Sequence, residues 1–213
     1  PVSKTAMLKF ALPALGIYLA GPLMGNVDNA FVGRFSGTAE LAALSPGSVF
    51  ANNILFLFGS ILNSATTGLV SRAWAGGGAA TTAESGAEEG GAVARAREQL
   101  GRTMSIAWPI GLALTAFYAL ASPWAIRAMG TPAAIADKAA LYARITGLAS
   151  WASIAQGVCL SALLSTRDAV TPLRVVFFAQ ITNLAFDFLL CCWPLRTGIA
   201  GAAAATAAST VVG

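Results

Sequence analysis

The amino-acid sequence predicts an all-α polytopic membrane protein with about six transmembrane helices. Three observations carry that prediction. Apolar residues fill 56% of the 213 positions and charged residues only 10%, with a mean hydropathy of +0.70, whereas soluble domains carry about 25% charged residues. Several stretches of about 20 residues hold almost no charge, enough to cross about 30 Å of hydrocarbon as helix. Residues 103–126 contain no charged side chain at all, so an Ala-rich soluble helix would have no face to turn to water there.

The spans follow in order. The first is expected at 7–35 and contains Pro13, Gly16, Gly21, Pro22 and Gly25. A proline inside a helix removes a hydrogen bond and crowds the preceding turn, so a hinge is expected near Pro22. The second, 41–70, carries Asn52, Asn53, Asn63, Ser64, Thr66 and Thr67, which either line a cavity or bond to neighbouring helices. Residues 74–98 read as a solvated Gly/Glu-rich loop: Gly76–Gly78 and Gly90–Gly91 bracket Glu84, Glu88 and Glu89. No Gly-Lys-Ser/Thr follows the glycines, so the loop is not a phosphate cradle. Spans are then expected at 102–121, 137–164 and 172–193. A sixth, incomplete at 198–213, is built from Gly, Ala, Ser and Thr, which permit close backbone approach.

Charge sets the orientation and narrows the function. Lys4, Lys9, Arg72, Arg95, Arg97, Arg102, Arg167 and Arg174 fall on the N-terminal side; Arg34, Arg127, Lys138, Arg144 and Arg196 fall on the other. That bias puts the N-terminus inside. The net charge of +4 is scattered at span ends, a topology signal rather than a nucleic-acid-binding face. There is no His, and Cys159, Cys191 and Cys192 lack metal-ligand spacing. Adjacent Cys191 and Cys192 read as apolar fillers. No nucleophile–base pair or nucleotide loop points to an enzyme, and no cofactor is expected. No cleavable signal is visible, but the chain starts at Pro1, so a targeting segment upstream remains open.

Asp28 and Asp187 stand inside apolar, helix-length stretches, where a charge costs several kcal/mol (about 2.5–3.5 on insertion scales) and marks a site by default. Both belong to odd-numbered spans that run in the same direction. Asp28 lies about two turns before Arg34 and Asp187 two to three turns before Arg196, so their depths match to about one turn. Asn183 is one turn before Asp187 on the same face, with Thr182 and Gln180 nearby; Asn26 and Asn29 flank Asp28. Such carboxyl and amide oxygens suit a proton or a small cation. Two other readings stay open: a buried polar cluster that locks helix packing, and an ion pair between Asp28 and Arg34.

The segment Leu12-Pro13-Ala14, Pro22, Val27-Asp28-Asn29-Ala30-Phe31-Val32-Gly33-Arg34-Phe35 and Glu40-Leu41-Ala42-Ala43-Leu44 resembles the first helix and following turn of the MATE (multidrug and toxic compound extrusion) family. Asn183-Leu184-Ala185-Phe186-Asp187 with Gly198-Ile199-Ala200-Gly201-Ala202-Ala203 and Thr206 is similar to that family's fifth-to-sixth helix region. Residues 12–46 look closest to the DinF-like plastid members. The resemblance implies a twelve-helix antiporter of two lobes, exporting organic cations or amphiphiles in exchange for H⁺ or Na⁺. It places the first lobe's cation site on Asp28, Asn183, Asp187, Ala202 and Thr206, and it matches Pro22 to the family's bending proline. It further implies an integral membrane location, in a plastid envelope or thylakoid. The chain corresponds to one lobe, so a second six-helix lobe is the expected partner, from residues beyond Gly213 or from another subunit. The alternative is a non-transporting structural subunit docked in a larger membrane complex. A channel has no support, because no filter sequence or ring of charges is present.

Overall fold

The computed structural model describes residues 4–75, 85–192 and 197–212, in seven α-helices and one π-helical turn: α1 (Lys4–Phe35), α2 (Thr38–Ala75), α3 (Ser85–Ala128), α4 (Ala133–Leu148), α5 (Ser150–Ser165), α6 (Val170–Asp187), the π turn (Phe188–Cys192) and α7 (Ile199–Val212). Among the described residues, α1, α2, most of α3 and α6 through the π turn are long and apolar enough to cross a membrane; α4 and α5 together make a fifth, bent span. The protein is an integral membrane protein. Helices α2–α5 pack on one another, and α1, α6 and α7 form a second group. The packing of α7 on α4 and of α1 on α2 joins them.

Long apolar sequence makes these helices, but small residues decide how closely they pack. A Cβ at Gly111 would lie 2.6 Å from the Cα of Trp151, and one at Gly47 would lie 2.9 Å from the carbonyl oxygen of Ala139. Glycine at both points lets α3 meet α5 and α2 meet α4 almost backbone to backbone. The fully buried Tyr118 of α3 fills the centre, edge-on to Phe50, and its hydroxyl donates to the Ala51 carbonyl at 2.5 Å. Trp108 and Trp151 stack with centroids 5.3 Å apart.

Two expected features are corrected. The solvated loop at 74–98 is helix from Ser85 onward, so Gly90 and Gly91 lie within α3. Ala96 there packs with Val70, Trp74 and Ala162, and Arg95 donates to the Ala73 carbonyl at the end of α2. Tertiary burial thus overrides the poor helix propensity of the glycines. Gly76–Gly78 and Glu84 of the expected loop lie outside the described residues. The span expected at 137–164 is two helices bent by 51° at Ala149. The Ala149 N–H closes a tight turn onto Thr146, and the Ser150 hydroxyl takes the Gly147 carbonyl at 2.6 Å. A side chain inserted into the backbone ladder is a recognised cause of bending.

The polar residues of α2 also divide. Thr66 and Thr67 bond back to the carbonyls of Leu62 and Asn63 in their own helix, which neither alternative anticipated. Asn63 packs against Gly157 of α5, and Asn52 lines a cavity.

Candidate cation site

Four turns or breaks set the site's position. α1 runs unbroken through Pro13 and Pro22 to Phe35. Pro22 has no N–H, so the carbonyl of Tyr18 lacks its usual helical partner. Gly37, at φ +94°, turns the chain into α2. Asp187 ends the α-helical part of α6, and the π turn begins at the next residue; such turns are frequent at functional sites. Gly198, at φ +63°, turns the chain into α7.

These elements bring Asp28, Asn183, Asp187, Ala202 and Thr206 into one cluster. The Asn183 side-chain amide donates to Asp28 Oδ1 at 3.2 Å. The Thr206 hydroxyl lies 3.0 Å from the Ala202 carbonyl and 3.4 Å from Asp28 Oδ2. It has one proton, so it serves one of the two acceptors at a time. Asp187 is fully buried and its carboxyl adjoins that of Asp28. Neither Asp187 oxygen has a hydrogen-bond donor among the described residues, and Asn183 Oδ1 has none either. The adjacency of the carboxyls and their lack of a bond agree physically: two carboxylates are both acceptors, and nothing joins them until a proton or cation does.

A cavity of about 430 Å³ opens onto Asp28, Asn29, Asn183 and Thr206, with Ser48, Asn52, Gln180 and Ser209 completing a polar wall. Asp187 is not on that wall; it stands behind Asp28. The Asp28–Arg34 pairing is absent among the described ion pairs, and Arg34 is exposed. Asn26 is exposed away from the cavity, and Thr182 bonds to its own helix at Phe178. Arg196, used to gauge the depth of Asp187, lies outside the described residues.

The sequence reading missed Tyr142. It is buried on α4, close to both aspartates, and its hydroxyl approaches those of Thr146 and Thr206. A tyrosine in an Ala-rich span was its one visible signal, and an aromatic there is usually core.

Fold and site together define the class: a polytopic helical membrane protein with a buried acid pair at the base of a polar cavity. The MatE family profile matches residues 13–189, and the chain belongs to that family. It is 35% identical over 209 residues to the chloroplastic protein DETOXIFICATION 47 of Arabidopsis thaliana, covering 97% of this chain and 35% of that one. It is 28% identical to the DNA damage-inducible protein F of Escherichia coli, covering 96% and 41%. Its fold matches a MOP superfamily transporter from Pyrococcus furiosus with a TM-score of 0.76 at 21% identity, covering 97% of this chain and 42% of the other. It matches an outward-facing multidrug resistance MATE family transporter equally well, with a TM-score of 0.76 at 22% identity. The chain therefore spans less than half the length of these relatives and corresponds to one lobe of the MATE fold.

Proposed function

We propose that this chain is the cation-carrying lobe of a secondary antiporter that exports organic, cationic or amphiphilic solutes in exchange for H⁺ or Na⁺. The observation that carries this reading is the set of three buried oxygens without donors among the described residues, both of Asp187 and Oδ1 of Asn183, beside the carboxyl of Asp28. Buried acceptors left unpaired are costly, and converging oxygens of this kind suit a proton or sodium ion. Asp28 faces the cavity and exchanges the ion with water. Asp187 behind it holds the ion away from solvent. Ala202 and Thr206 supply a carbonyl and a hydroxyl from the third helix.

Coupling follows from α1. Asp28 stands six residues after Pro22, where the helix lacks a hydrogen bond. Loading the site changes the attraction of Asp28 for Asn183 and Thr206, and α1 bends at Pro22 in response. Alternating access needs a second lobe for this one to move against. Leu12, Leu15, Leu19 and Leu23 of α1 are exposed, as a helix facing lipid or such a lobe would be. The relatives named chloroplastic support a plastid membrane as the location.

The test is efflux of a fluorescent organic cation from proteoliposomes holding the polypeptide purified from its source membrane. An imposed H⁺ gradient, and separately a Na⁺ gradient, should drive export in the wild type. Asp28→Asn and Asp187→Asn should abolish it while helical content stays unchanged. Export by either variant at the wild-type rate would remove the acid pair from the mechanism. The intact mass of the native polypeptide, compared with 21.6 kDa, tells whether the second lobe is on the same chain.

A further inference from the structure

We propose that Glu40 is a positioning residue for the cation site: its carboxylate caps the N-terminus of α7 and ties it to α4, holding Ala202 and Thr206 in register with Asp28. The inference rests on the cation-site reading above.

The geometry is specific. Glu40 lies in the first turn of α2, and Oε2 accepts the Ile199 N–H at 2.8 Å. Ile199 is the first residue of α7, and the N–H groups of Gly201 and Ala202 turn back to the Gly198 carbonyl. An anionic acceptor on the free N–H also meets the positive end of the helix dipole. The other carboxyl oxygen accepts from Lys138 Nζ of α4 at 3.1 Å. Only 21% of the Glu40 side chain is exposed. Gly198 fits this arrangement twice over: its φ is +63°, and a Cβ there would run into the Glu40 carboxyl.

Both helices held by Glu40 lead into the site. Ala202 and Thr206 lie three and seven residues along α7 from the capped N–H. Tyr142 lies one turn from Lys138 on the same face of α4 and reaches towards Thr206. The carboxylate touches neither the cavity nor the two aspartates, so it acts by holding the ligands of α7 at their distance from α1.

The experiment is the efflux assay above, read as the H⁺ or Na⁺ concentration giving half-maximal export, together with amide hydrogen exchange of the same protein. Glu40→Ala should raise that concentration about tenfold, the usual cost of losing a group that orients a ligand. The maximal rate should change little. Glu40→Gln keeps an oxygen for the Ile199 N–H and should recover most of the loss. Gly198→Ala displaces the carboxyl and should match Glu40→Ala. Exchange should quicken in 199–206 of Glu40→Ala and stay unchanged in α3. An unchanged half-maximal concentration in Glu40→Ala overturns the inference. So does equal impairment of Glu40→Ala and Glu40→Gln, or exchange in 199–206 at the wild-type rate. Should Glu40→Ala fail to fold, Glu40→Gln and Lys138→Met carry the comparison, and both must shift the midpoint less than Gly198→Ala. Efflux that ignores both cations in the wild type would defeat the cation-site reading and, with it, the positioning role. Exchange at 199–206 would then still decide whether the cap exists.

Discussion

Replacing Gly47 by Ala adds one methyl group where α2 crosses α4. The new Cβ would stand 2.9 Å from the Ala139 carbonyl oxygen, 3.1 Å from Tyr142 Cδ1 and 3.3 Å from Tyr142 Cβ. Ordinary contact begins near 3.4 Å, and the closest atom is backbone, which cannot rotate away. Relief needs a retreat of α4 by about 0.5 Å, and close-packed interiors do not absorb that locally. Overpacking of this kind costs about 1–3 kcal/mol. For a chain of this size that lowers the melting temperature by about 2–12 °C. Gly68→Ala is the internal control: the same change in the same helix, with no atom within 4 Å of the new methyl. It should stabilise by about 0.5–1 kcal/mol, because Ala loses less backbone freedom than Gly. Thermal unfolding of both variants in one detergent, followed by circular dichroism, makes the comparison. Gly47→Ala should also blunt cation-driven efflux, since α4 carries Tyr142. Equal melting temperatures, or a Gly47 variant more stable than the Gly68 variant, would refute the claim that backbone contact sets this crossing.

Three more outcomes are expected. Thr206→Val removes the hydroxyl at constant shape and should weaken Na⁺ or H⁺ dependence about tenfold with under about 1 kcal/mol lost in stability; an unchanged cation midpoint in the efflux assay would exclude Thr206 as a ligand. Tyr118→Phe deletes the bond to the Ala51 carbonyl and should cost about 0.5–1.5 kcal/mol in the same melting assay, leaving the cation midpoint unmoved. Asp168, in the turn before α6, accepts the N–H groups of Val170 and Thr171 at 3.1 and 3.0 Å. Bonding to Thr171 holds its carboxyl below the ordinary value of 3.8, so its contribution is present above that pH and fades as pH falls below it. Asp168→Ala should cost about 1 kcal/mol at neutral pH, and the gap from wild type should close in acid; a gap that widens in acid would reverse the sign of the argument.

Much of the site was legible because a carboxyl in hydrocarbon is conspicuous. Asp28 and Asp187 were visible from hydropathy alone, and helix rise put them at matching depth. Asn183 followed from its spacing to Asp187. Ala202 and Thr206 were not legible from chemistry, since small and hydroxyl residues fill α7; they came from the family resemblance. Glu40 and Tyr142 gave no signal of their role. A glutamate near a turn and a tyrosine among alanines look ordinary until their partners, 159 residues away for Ile199 and Glu40, are in contact.

The sequence by itself determined that this is a helical membrane protein, roughly where its chain crosses, and which two acids need an explanation. Those are properties of local hydropathy, helix geometry and the cost of burying charge. Only the tertiary structure decided that α3 continues through Gly90 and Gly91, that the fourth span bends at Ala149, and that Asp187 sits behind Asp28 with no donor among the described residues. Each of these depends on contacts between helices far apart in the chain: Ala96 against Val70 and Ala162, Gly147 beneath Tyr118, Asn183 against Asp28. Packing between distant segments overrides local preference because its energy is shared across several helices at once, and no window of sequence contains it.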